Sequence, residues 1–377
     1  MKNTSLIWGA LAVLTTAALA EDSLSEQLLA KQAEFATKAP AEVKTAYAAG
    51  IQAVADSGIL KSAKQAGERA PDFTLRNAAG KEITLSTLLK QGPVVLTWYR
   101  GGWCPYCNLS LRALQQVLPE LQAAGAQLVA LTPELPDKSA TTQEKNALQF
   151  QVLTDLNHGV AKEYGVAFKL TATVRDLYKQ HFDLLEYNGA EASDDTLPLA
   201  ATYIIDRDGT IRYAFLDADY RKRAEPAELA AFVKQLLPQP GDAEAVALLK
   251  RFWLRVWNPP HDLSAVDEFV AEDFILTNPS GDTVGRDAFK AWLREFQTKL
   301  GDARLMPMET FASADGTRAV SRWQATGINH GVLGTPDDGQ SVEFSGIAIW
   351  EIRDGKLTHN WVERSAWELH RKLTRKP

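Results

Sequence analysis

The sequence predicts an α/β fold with a mixed central sheet covered on both faces by helices, followed by an α+β domain. The first observation is an apolar, β-branched segment at 93–97 that leads into a helical pattern at 109–124 and a further apolar strand at 127–132. The second is a hairpin signal at 207–209, which adds antiparallel strands. The third is the order after Pro238, where helices come first and four strands follow.

Length and composition limit the class of protein. The chain has 377 residues, of which 45% are apolar and 23% charged, as in ordinary soluble globular proteins with two or three domains. Its formal net charge is -6, and no clustered basic face is evident in the sequence. These features argue against a nucleic-acid partner.

The first twenty residues read as a targeting segment. Lys2 supplies the positive start, 6–14 is the apolar run, and Ala18-Leu19-Ala20 is a small-x-small cleavage site before Glu21. The sequence therefore predicts a signal peptide that is cleaved after Ala20, with export to the periplasm or secretion. The apolar run is too short for a confident membrane span, so no stable span is expected after its removal.

Pattern and composition then divide the chain. Residues 21–66 are predicted to form a helical N-terminal extension that packs outside the next domain and has no chemistry of its own. The α/β domain is placed at 67–237 and contains a polar insertion at 169–196 with no clear period. A Pro/Gly-rich linker is placed at 238–242, and the second domain at 243–377.

The only two cysteines, Cys104 and Cys107, stand three apart where a strand ends and a helix begins. Pro105 suits the first helical turn, where its missing N–H costs nothing. Cys104 is then at the helix start, where orphan N–H groups and the helix dipole favour the thiolate. We therefore expect Cys104 to be exposed with a lowered pKa, and Cys107 to lie within disulfide reach and face inward.

Other uses of such a pair are less well supported. A structural zinc site needs four ligands, and no second cysteine pair or nearby histidine pair completes one. A structural disulfide that closes so short a loop would remove little chain entropy and stabilise little. A redox dithiol without metal or cofactor is the favoured interpretation.

Four motifs together resemble the peroxiredoxin-like (alkyl hydroperoxide reductase/thiol-specific antioxidant) branch of the thioredoxin superfamily over 67–237. They are Ala70-Pro71-Asp72-Phe73, Tyr99-Arg100-Gly101-Gly102-Trp103-Cys104-Pro105-Tyr106-Cys107, Val152-Leu153-Thr154-Asp155 and Ala201-Thr202-Tyr203-Ile204-Ile205-Asp206. The resemblance implies a thioredoxin-like fold, Cys104 as the attacking thiolate and Cys107 as its resolving partner. It also implies a Cys104–Cys107 disulfide and an external, thioredoxin-like dithiol reductant.

The sequence departs from that family at two places. The first is before the attacking cysteine, where the family's Pro and Thr, seven and three residues earlier, are Thr97 and Gly101. The second is in the later strand, where the family's Arg is Ala200. Arg100 lies at the same strand end and is the candidate to supply the missing charge. The loss of the Thr hydroxyl leaves thiol–disulfide exchange intact and weakens the case for peroxide reduction.

Residues 243–373 resemble a SnoaL-like polyketide cyclase of the nuclear-transport-factor-2-like fold, which implies a cone-shaped barrel. The resemblance is carried by Val342-Glu343-Phe344-Ser345-Gly346-Ile347, Glu351-Ile352-Arg353-Asp354-Gly355-Lys356, and Trp361 with Leu369 and Leu373. The cyclases usually keep an Asp four residues after this Trp, where this chain has Ser365. The domain is therefore expected to bind a ligand or pair two subunits as a homodimer, without catalysing a reaction.

Three residues are candidates for lining a pocket in this domain: His330, His359 and Glu363. On a strand, His359 and Glu363 would share one face with Ser365. A histidine near a strand end is, however, more often a hydrogen-bonded structural residue.

Three functions remain open from the sequence. The leading one is an exported thiol-dependent antioxidant enzyme that reduces hydroperoxides through Cys104 and Cys107. The second is a thiol–disulfide oxidoreductase acting on protein disulfides. The third is a small-molecule-binding protein that works through its C-terminal domain, for which Cys104→Ser would leave function untouched.

Overall fold

The computed structural model describes residues 23–189, 195–238 and 242–374. The predicted signal peptide and residues 239–241 of the predicted linker lie outside these ranges. Among the described residues, no helix combines the length and the apolar character that crossing a membrane requires.

The first domain is built on a seven-stranded mixed sheet in the order β2-β1-β5-β4-β3-β8-β9. Strands β3, β4 and β5 are parallel to one another, and the outer strands pair antiparallel. The strands are β1 Thr74–Asn77, β2 Glu82–Thr84, β3 Val94–Trp98, β4 Gln127–Thr132, β5 Gln151–Thr154, β8 Thr202–Ile205 and β9 Ile211–Phe215; β6 Ala167–Lys169 and β7 Thr196–Pro198 form a separate antiparallel pair.

Helices cover both faces of this sheet, as predicted. They are α4 Leu85–Leu89, α5 Pro105–Ala123, α6 Pro136–Lys145, α7 Gly159–Glu163, α8 Ala172–Lys179, α9 Leu184–Asn188 and α10 Pro226–Leu236. In β3 every residue is buried. Val95 belongs to one hydrophobic cluster, whereas Val94 and Leu96 belong to another on the opposite face. A strand buried on both sides is mostly apolar, which accounts for 94–96, and the buried hydroxyl of Thr97 shares a hydrogen bond with that of Thr202 at 2.9 Å.

The N-terminal extension forms three helices, α1 Leu24–Lys38, α2 Ala41–Asp56 and α3 Ile59–Ser62. Glu225, immediately before α10, caps the first turn of α1: the backbone N–H and hydroxyl of Ser25 donate to its carboxylate at 3.1 and 2.8 Å. Helix α2 packs closely on α8, and a Cβ at Gly50 would lie only 2.8 Å from a methyl group of Val174. The extension is thus tied to the domain at both ends.

The polar insertion is ordered where the structure describes it. Residues 169–189 hold α8 and α9, for which the sequence showed no period. Both helices are short, at eight and five residues, so neither repeats an apolar position often enough to be recognised.

The second domain is a six-stranded sheet in the order β11-β10-β15-β14-β13-β12, with β10 and β15 parallel and the other pairs antiparallel. Its elements are α11 Glu244–Phe252, α12 Val266–Phe269, β10 Val270–Asn278, β11 Gly281–Val284, α13 Arg286–Lys299, β12 Leu300–Ala312, β13 Arg318–His330, β14 Asp337–Arg353, β15 Lys356–Arg364 and α14 Ala366–Thr374. In the described residues β11 and β12 are free edges, so the sheet is open and curved, and the predicted barrel is corrected to an open sheet.

Two strands of this sheet were missed in the sequence. Residues 262–270 read as a helix, yet the helix there spans only Val266–Phe269, and β10 begins at Val270. The apolar run before Asn278 and the turn residues at 278–281 are the signals that predict the β10–β11 hairpin.

One hydrophobic cluster continues across the predicted domain boundary. It includes Leu229 and Phe232 of α10, Leu249 of α11 and Leu305 of β12. Helix α10 packs against β12 as well as on α5. The sequence predicts two pieces that fold independently, whereas the shared cluster implies that each piece stabilises the other.

Residues 21–237 alone are accordingly expected to melt several degrees below the full chain, because removing the second domain exposes the apolar face of α10. For a domain of this size, each kcal/mol lost lowers the melting temperature by about 2–4 °C. The matched control is the full chain cut by protease within 238–242, which retains both pieces and should melt close to the intact protein. Equal melting temperatures for 21–237 and the intact protein would contradict a shared core.

Candidate active site

The cysteines lie in the predicted setting between a strand and a helix. Strand β3 ends at Trp98, Cys104 occupies the N-cap position of α5, and Pro105 is the first helical residue. The side-chain amide of Asn108 donates to the carbonyl oxygens of Gly102 and Cys104 at 2.8 and 3.1 Å. The loop at 99–104 is therefore held in place by a side chain of α5, the helix that follows it.

Burial of the pair differs from the prediction. Cys104 is 1% exposed and Cys107 is 0% exposed, and both are free thiols. The N-cap position of Cys104 makes no side-chain hydrogen bond to the helix. Burial, followed by the hydrogen bond with Cys107, raises the pKa of Cys104 well above its usual value. The expectation of an exposed Cys104 with a lowered pKa is thus wrong, because segments distant in sequence cover it.

The negative charge of the pair is stabilised on Cys107 instead. Its sulfur accepts hydrogen bonds from the backbone N–H of Arg100 at 3.5 Å and from the guanidinium of Arg223 at 3.4 Å. Burial would raise the pKa of Cys107, but the hydrogen bond with Cys104 and the charges of Arg223 and Arg100 lower it to about 5. The two thiols share a hydrogen bond, so they titrate as a pair.

The absorbance of the reduced protein at 240 nm, which reports thiolate, is therefore expected to rise with a midpoint below that of an ordinary cysteine. An ordinary cysteine titrates near 8.5. The thiolate is the form present above the midpoint and is lost as the pH falls through it. In Arg223→Gln the midpoint should move upward, because one cation and one hydrogen-bond donor are removed. A midpoint above pH 8 in the wild-type chain would contradict this electrostatic assignment.

Arg100 lies beside the cysteines, as the sequence suggested, but it is 1% exposed. Its guanidinium donates to the hydroxyl of Tyr178 and stands over the ring of Tyr220, 4.1 Å from the ring centroid. Within the described ranges no carboxylate forms an ion pair with Arg100, and its Nε has no hydrogen-bond partner. Burial disfavours its charge, yet Tyr178 and Cys104 hold the pKa of Arg100 above its ordinary range. A buried cation of this kind is a ready donor to a bound oxygen.

A cavity of about 350 Å³, the Arg100 cavity, adjoins this guanidinium. Its lining includes Tyr47 and Ile51 from α2, Val174 and Tyr178 from α8, and Tyr220. The N-terminal extension, predicted to have no chemistry, therefore forms a wall of the space beside Arg100. The insertion at 169–196 forms a second wall of the Arg100 cavity, through Val174 and Tyr178 of α8.

The missing family Thr has a structural explanation. Gly101 has φ +151°, and a Cβ there would lie 2.2 Å from Nε1 of Trp103. Trp103 itself packs on Phe182 at a centroid distance of 4.6 Å. The tryptophan occupies the room that a threonine side chain would need, so only glycine suits position 101.

Glu134 is a buried residue of the site that sequence reasoning missed. Its carboxylate accepts the backbone N–H of Gly102 at 2.8 Å and the hydroxyl of Thr142 at 3.3 Å. Burial raises the pKa of Glu134. The available signal was topological: β3 and β4 are parallel neighbours, so residues after each strand meet at one sheet edge.

The second domain holds a larger cavity of about 540 Å³. We call it the tryptophan cavity, after five of its lining residues: Trp253, Trp257, Trp292, Trp323 and Trp350. The three candidate residues lie elsewhere. His359 is on the outer sheet face, where it bonds to Thr277 at 2.9 Å; His330 pairs with Asp337 at 3.1 Å at a strand end; and Glu363 is exposed.

The register of β15 explains this placement. Residues 359, 361, 363 and 365 do share a face, but it is the outer one. Asn360, Val362 and Arg364 alternate with them and line the cavity. The Ser365 hydroxyl forms hydrogen bonds with the backbone N–H and carbonyl oxygen of Ser345 in β14. It therefore stabilises the sheet and does not line the cavity.

Comparison with known families agrees with this architecture. Residues 66–214 match the model of the AhpC/TSA family, and residues 250–360 match the model of the SnoaL-like domain. The chain joins a peroxiredoxin-like domain to a SnoaL-like domain. The predicted family resemblances and the thioredoxin-like fold are thereby confirmed, and the peroxiredoxin-like domain is that of a thiol peroxidase.

Among relatives of this peroxiredoxin-like domain, peroxiredoxin Q of Triticum aestivum chloroplasts is 27% identical over 178 residues, which are 47% of this chain and 71% of the relative. Peroxiredoxin Bcp of Escherichia coli is 27% identical over 154 residues, 41% of this chain and 86% of the relative. A similar solved structure is peroxidoxin BcpB of Mycobacterium tuberculosis, at 22% identity and a TM-score of 0.35, covering 45% of this chain and 96% of that one.

Proposed function

We propose that this protein reduces hydroperoxides with Cys104 and Cys107, which cycle between dithiol and disulfide. The observation that carries the proposal is the burial of both thiols beside the buried cation of Arg100. A small peroxide needs far less room than a protein chain, and the disulfide of a folded protein cannot approach a sulfur that is 1% exposed or less. This burial favours peroxide reduction over exchange with protein disulfides.

In the proposed reaction, the Cys104 thiol first passes its proton to the Cys107 thiolate across the hydrogen bond between them. The Cys104 thiolate attacks the terminal peroxide oxygen, and the S–O bond forms as the O–O bond breaks. This gives a sulfenic acid on Cys104 and an alkoxide, which takes the proton from Cys107 and leaves as the alcohol. The Cys107 thiolate attacks the Cys104 sulfur, and the displaced hydroxide takes a proton from solvent and leaves as water. An external dithiol supplies two electrons and two protons to the disulfide; one proton stays on Cys104 and the other returns to solvent, which restores the thiol–thiolate pair.

Arg100 is assigned the electrostatic role. Negative charge develops on the leaving oxygen while the O–O bond breaks, and a buried cation stabilises that charge strongly in a site with little water. Nε of Arg100 has no other partner among the described residues, so it is available to donate to the peroxide. In this proposal the charge of Arg100 substitutes for that of the family's later arginine, whose position is Ala200 in this chain.

The test compares two substrates side by side with the mature full chain and dithiothreitol as reductant. Consumption of hydrogen peroxide should be fast, and reduction of insulin disulfides should stay near the rate of dithiothreitol alone. Cys104→Ser should abolish the first activity. Rapid insulin reduction with negligible peroxide consumption would overturn the proposal in favour of disulfide exchange.

We propose further that the chain is exported and that residues 1–20 are removed. The support is the sequence pattern of a basic start, an apolar run and Ala18-Leu19-Ala20. The test is N-terminal sequencing of the protein recovered from the periplasm and medium of a Gram-negative host. A first residue of Glu21 is expected; an unprocessed protein that stays in the cytoplasm would refute export.

A further inference from the structure

Two N–H donors beside the cysteines are buried and lack an acceptor. They are Nε of Arg100 and Nε1 of Trp103, and neither forms a hydrogen bond within the part of the chain that the structure describes. Buried donors without an acceptor are rare in folded proteins, because each loses its bond to water without replacing it. A catalytic role is one reason for which a protein keeps such a group.

The indole of Trp103 lies against the turn that holds Cys104. The backbone N–H of Cys104 donates to the carbonyl oxygen of Gly101 at 3.0 Å, which closes this turn. A Cβ on residue 101 would overlap Nε1 of Trp103. The indole N–H therefore occupies the place of the side chain that the family's threonine has at this position, and it supplies a donor where the threonine hydroxyl is missing.

Neighbouring side chains hold this indole in one orientation beside the buried guanidinium. The guanidinium carbon of Arg100 lies 5.2 Å from the centroid of the Trp103 ring. The ring also packs on Phe182 and Tyr178, at centroid distances of 4.6 and 5.4 Å. The direction of the N–H is therefore set before any substrate binds, and a donor fixed in this way needs no reorganisation when negative charge develops beside it.

We propose that Trp103 is a catalytic residue, whose indole N–H donates a hydrogen bond to the leaving oxygen of the peroxide while Cys104 attacks. Arg100 and Trp103 together then form a two-donor site for the negative charge that develops on this oxygen. The indole keeps its proton throughout, and the leaving oxygen takes its proton from Cys107, as in the reaction above. This role rests on the proposed peroxidase function and adds a second donor to it.

Trp103→Phe tests the role, because it removes the N–H and keeps an aromatic ring. The reduced variant is expected to react with hydrogen peroxide about 10²-fold more slowly than the wild type, the usual cost of one donor to a developing negative charge. Competition with horseradish peroxidase for hydrogen peroxide measures this rate. The midpoint of the thiolate absorbance at 240 nm should stay that of the wild type, because the N–H acts on the peroxide and not on the thiols. Trp103→His retains a ring N–H and should recover part of the rate.

Trp98→Phe is the matched control. Trp98 is a buried tryptophan at the end of β3, but it belongs to the hydrophobic cluster on the sheet face opposite the cysteines. This variant should react with peroxide as the wild type does. A Trp103→Phe rate within threefold of the wild type, an equal loss in Trp98→Phe, or a loss accompanied by a shifted thiolate midpoint would each overturn the role of Trp103. A wild type that consumes no peroxide would refute the proposed function itself, whereas a working wild type beside an unimpaired Trp103→Phe would refute only this role.

A second measurement leaves residue 103 unchanged, for the case in which Trp103→Phe does not fold. In the full chain with both cysteines replaced by serine, hydrogen peroxide can bind without reacting. The indole N–H resonance of Trp103 in the nuclear magnetic resonance spectrum is then expected to move downfield as hydrogen peroxide is added, since its N–H gains an acceptor. The resonance of Trp98 should stay in place. A Trp103 resonance that does not move, or that moves together with that of Trp98, would contradict the proposal.

Discussion

Replacing Cys104 by Ser is expected to abolish hydroperoxide turnover, because a serine hydroxyl is not ionised at neutral pH and does not replace a thiolate as the attacking group. Cys107→Ser is expected to behave differently. It should consume one equivalent of peroxide per chain and then stop, since the sulfenic acid on Cys104 has lost its resolving partner. The two variants are to be compared by peroxide stoichiometry and by trapping the sulfenic acid with dimedone before mass spectrometry.

The pair of variants also tests the assignment of roles. The lowered pKa of Cys107 and its two N–H donors mark it as the resting thiolate, while Cys104 is the one assigned to attack. A dimedone adduct on Cys107 of Cys104→Ser, together with a full first turnover, would reverse the roles. Far-UV circular dichroism of both variants serves as the folding control.

Arg100→Met is expected to slow the reaction of the reduced enzyme with peroxide by about 10²–10³-fold, the usual cost of removing one donor to a developing negative charge. Stopped-flow tryptophan fluorescence can follow this step. The melting temperature should fall little, because an apolar side chain of similar volume replaces a buried cation that has no ion pair among the described residues.

Two further variants separate charge from packing at this position. Arg100→Lys keeps the charge without the planar donor set and should recover part of the rate. Tyr178→Phe removes the hydroxyl that accepts from Arg100 while the ring remains, so its effect should be small if Arg100 acts on the peroxide directly. A rate in Arg100→Met within threefold of wild type would exclude the electrostatic role.

Local sequence was sufficient for the elements that make the site. The apolar run at 93–97, Pro105 after Cys104 and the leucine spacing at 109–124 are signals that act over a few residues, and strand β3 and helix α5 lie there. The long strands of the second domain were also predicted, because alternation over nine or more residues is a strong pattern.

The environment of the cysteines was not predictable in this way. Tyr47, Tyr178 and Arg223 come from three separate segments, and nothing local to Cys104 indicates that they converge on it. Burial therefore reversed the pKa expected from the helix start alone. In the second domain, the alternation of side chains along a strand correctly predicts that His359 and Glu363 share one face of β15. Alternation alone does not tell which face of the sheet is buried.

Because the proposed redox centre draws on both ends of its domain, it is complete only late in the synthesis of the chain. The ribosome releases Cys104 and Cys107 more than a hundred residues before Tyr220 and Arg223. Until those residues are synthesised, the thiols lack the Arg223 guanidinium that stabilises the thiolate of Cys107. During that time oxidants and the disulfides of other proteins can reach both thiols. A nascent chain that stalls between these points would carry unshielded cysteines. The proposed selectivity for peroxides would be acquired only once β9 and the loop after it have been synthesised and have packed against the rest of the domain.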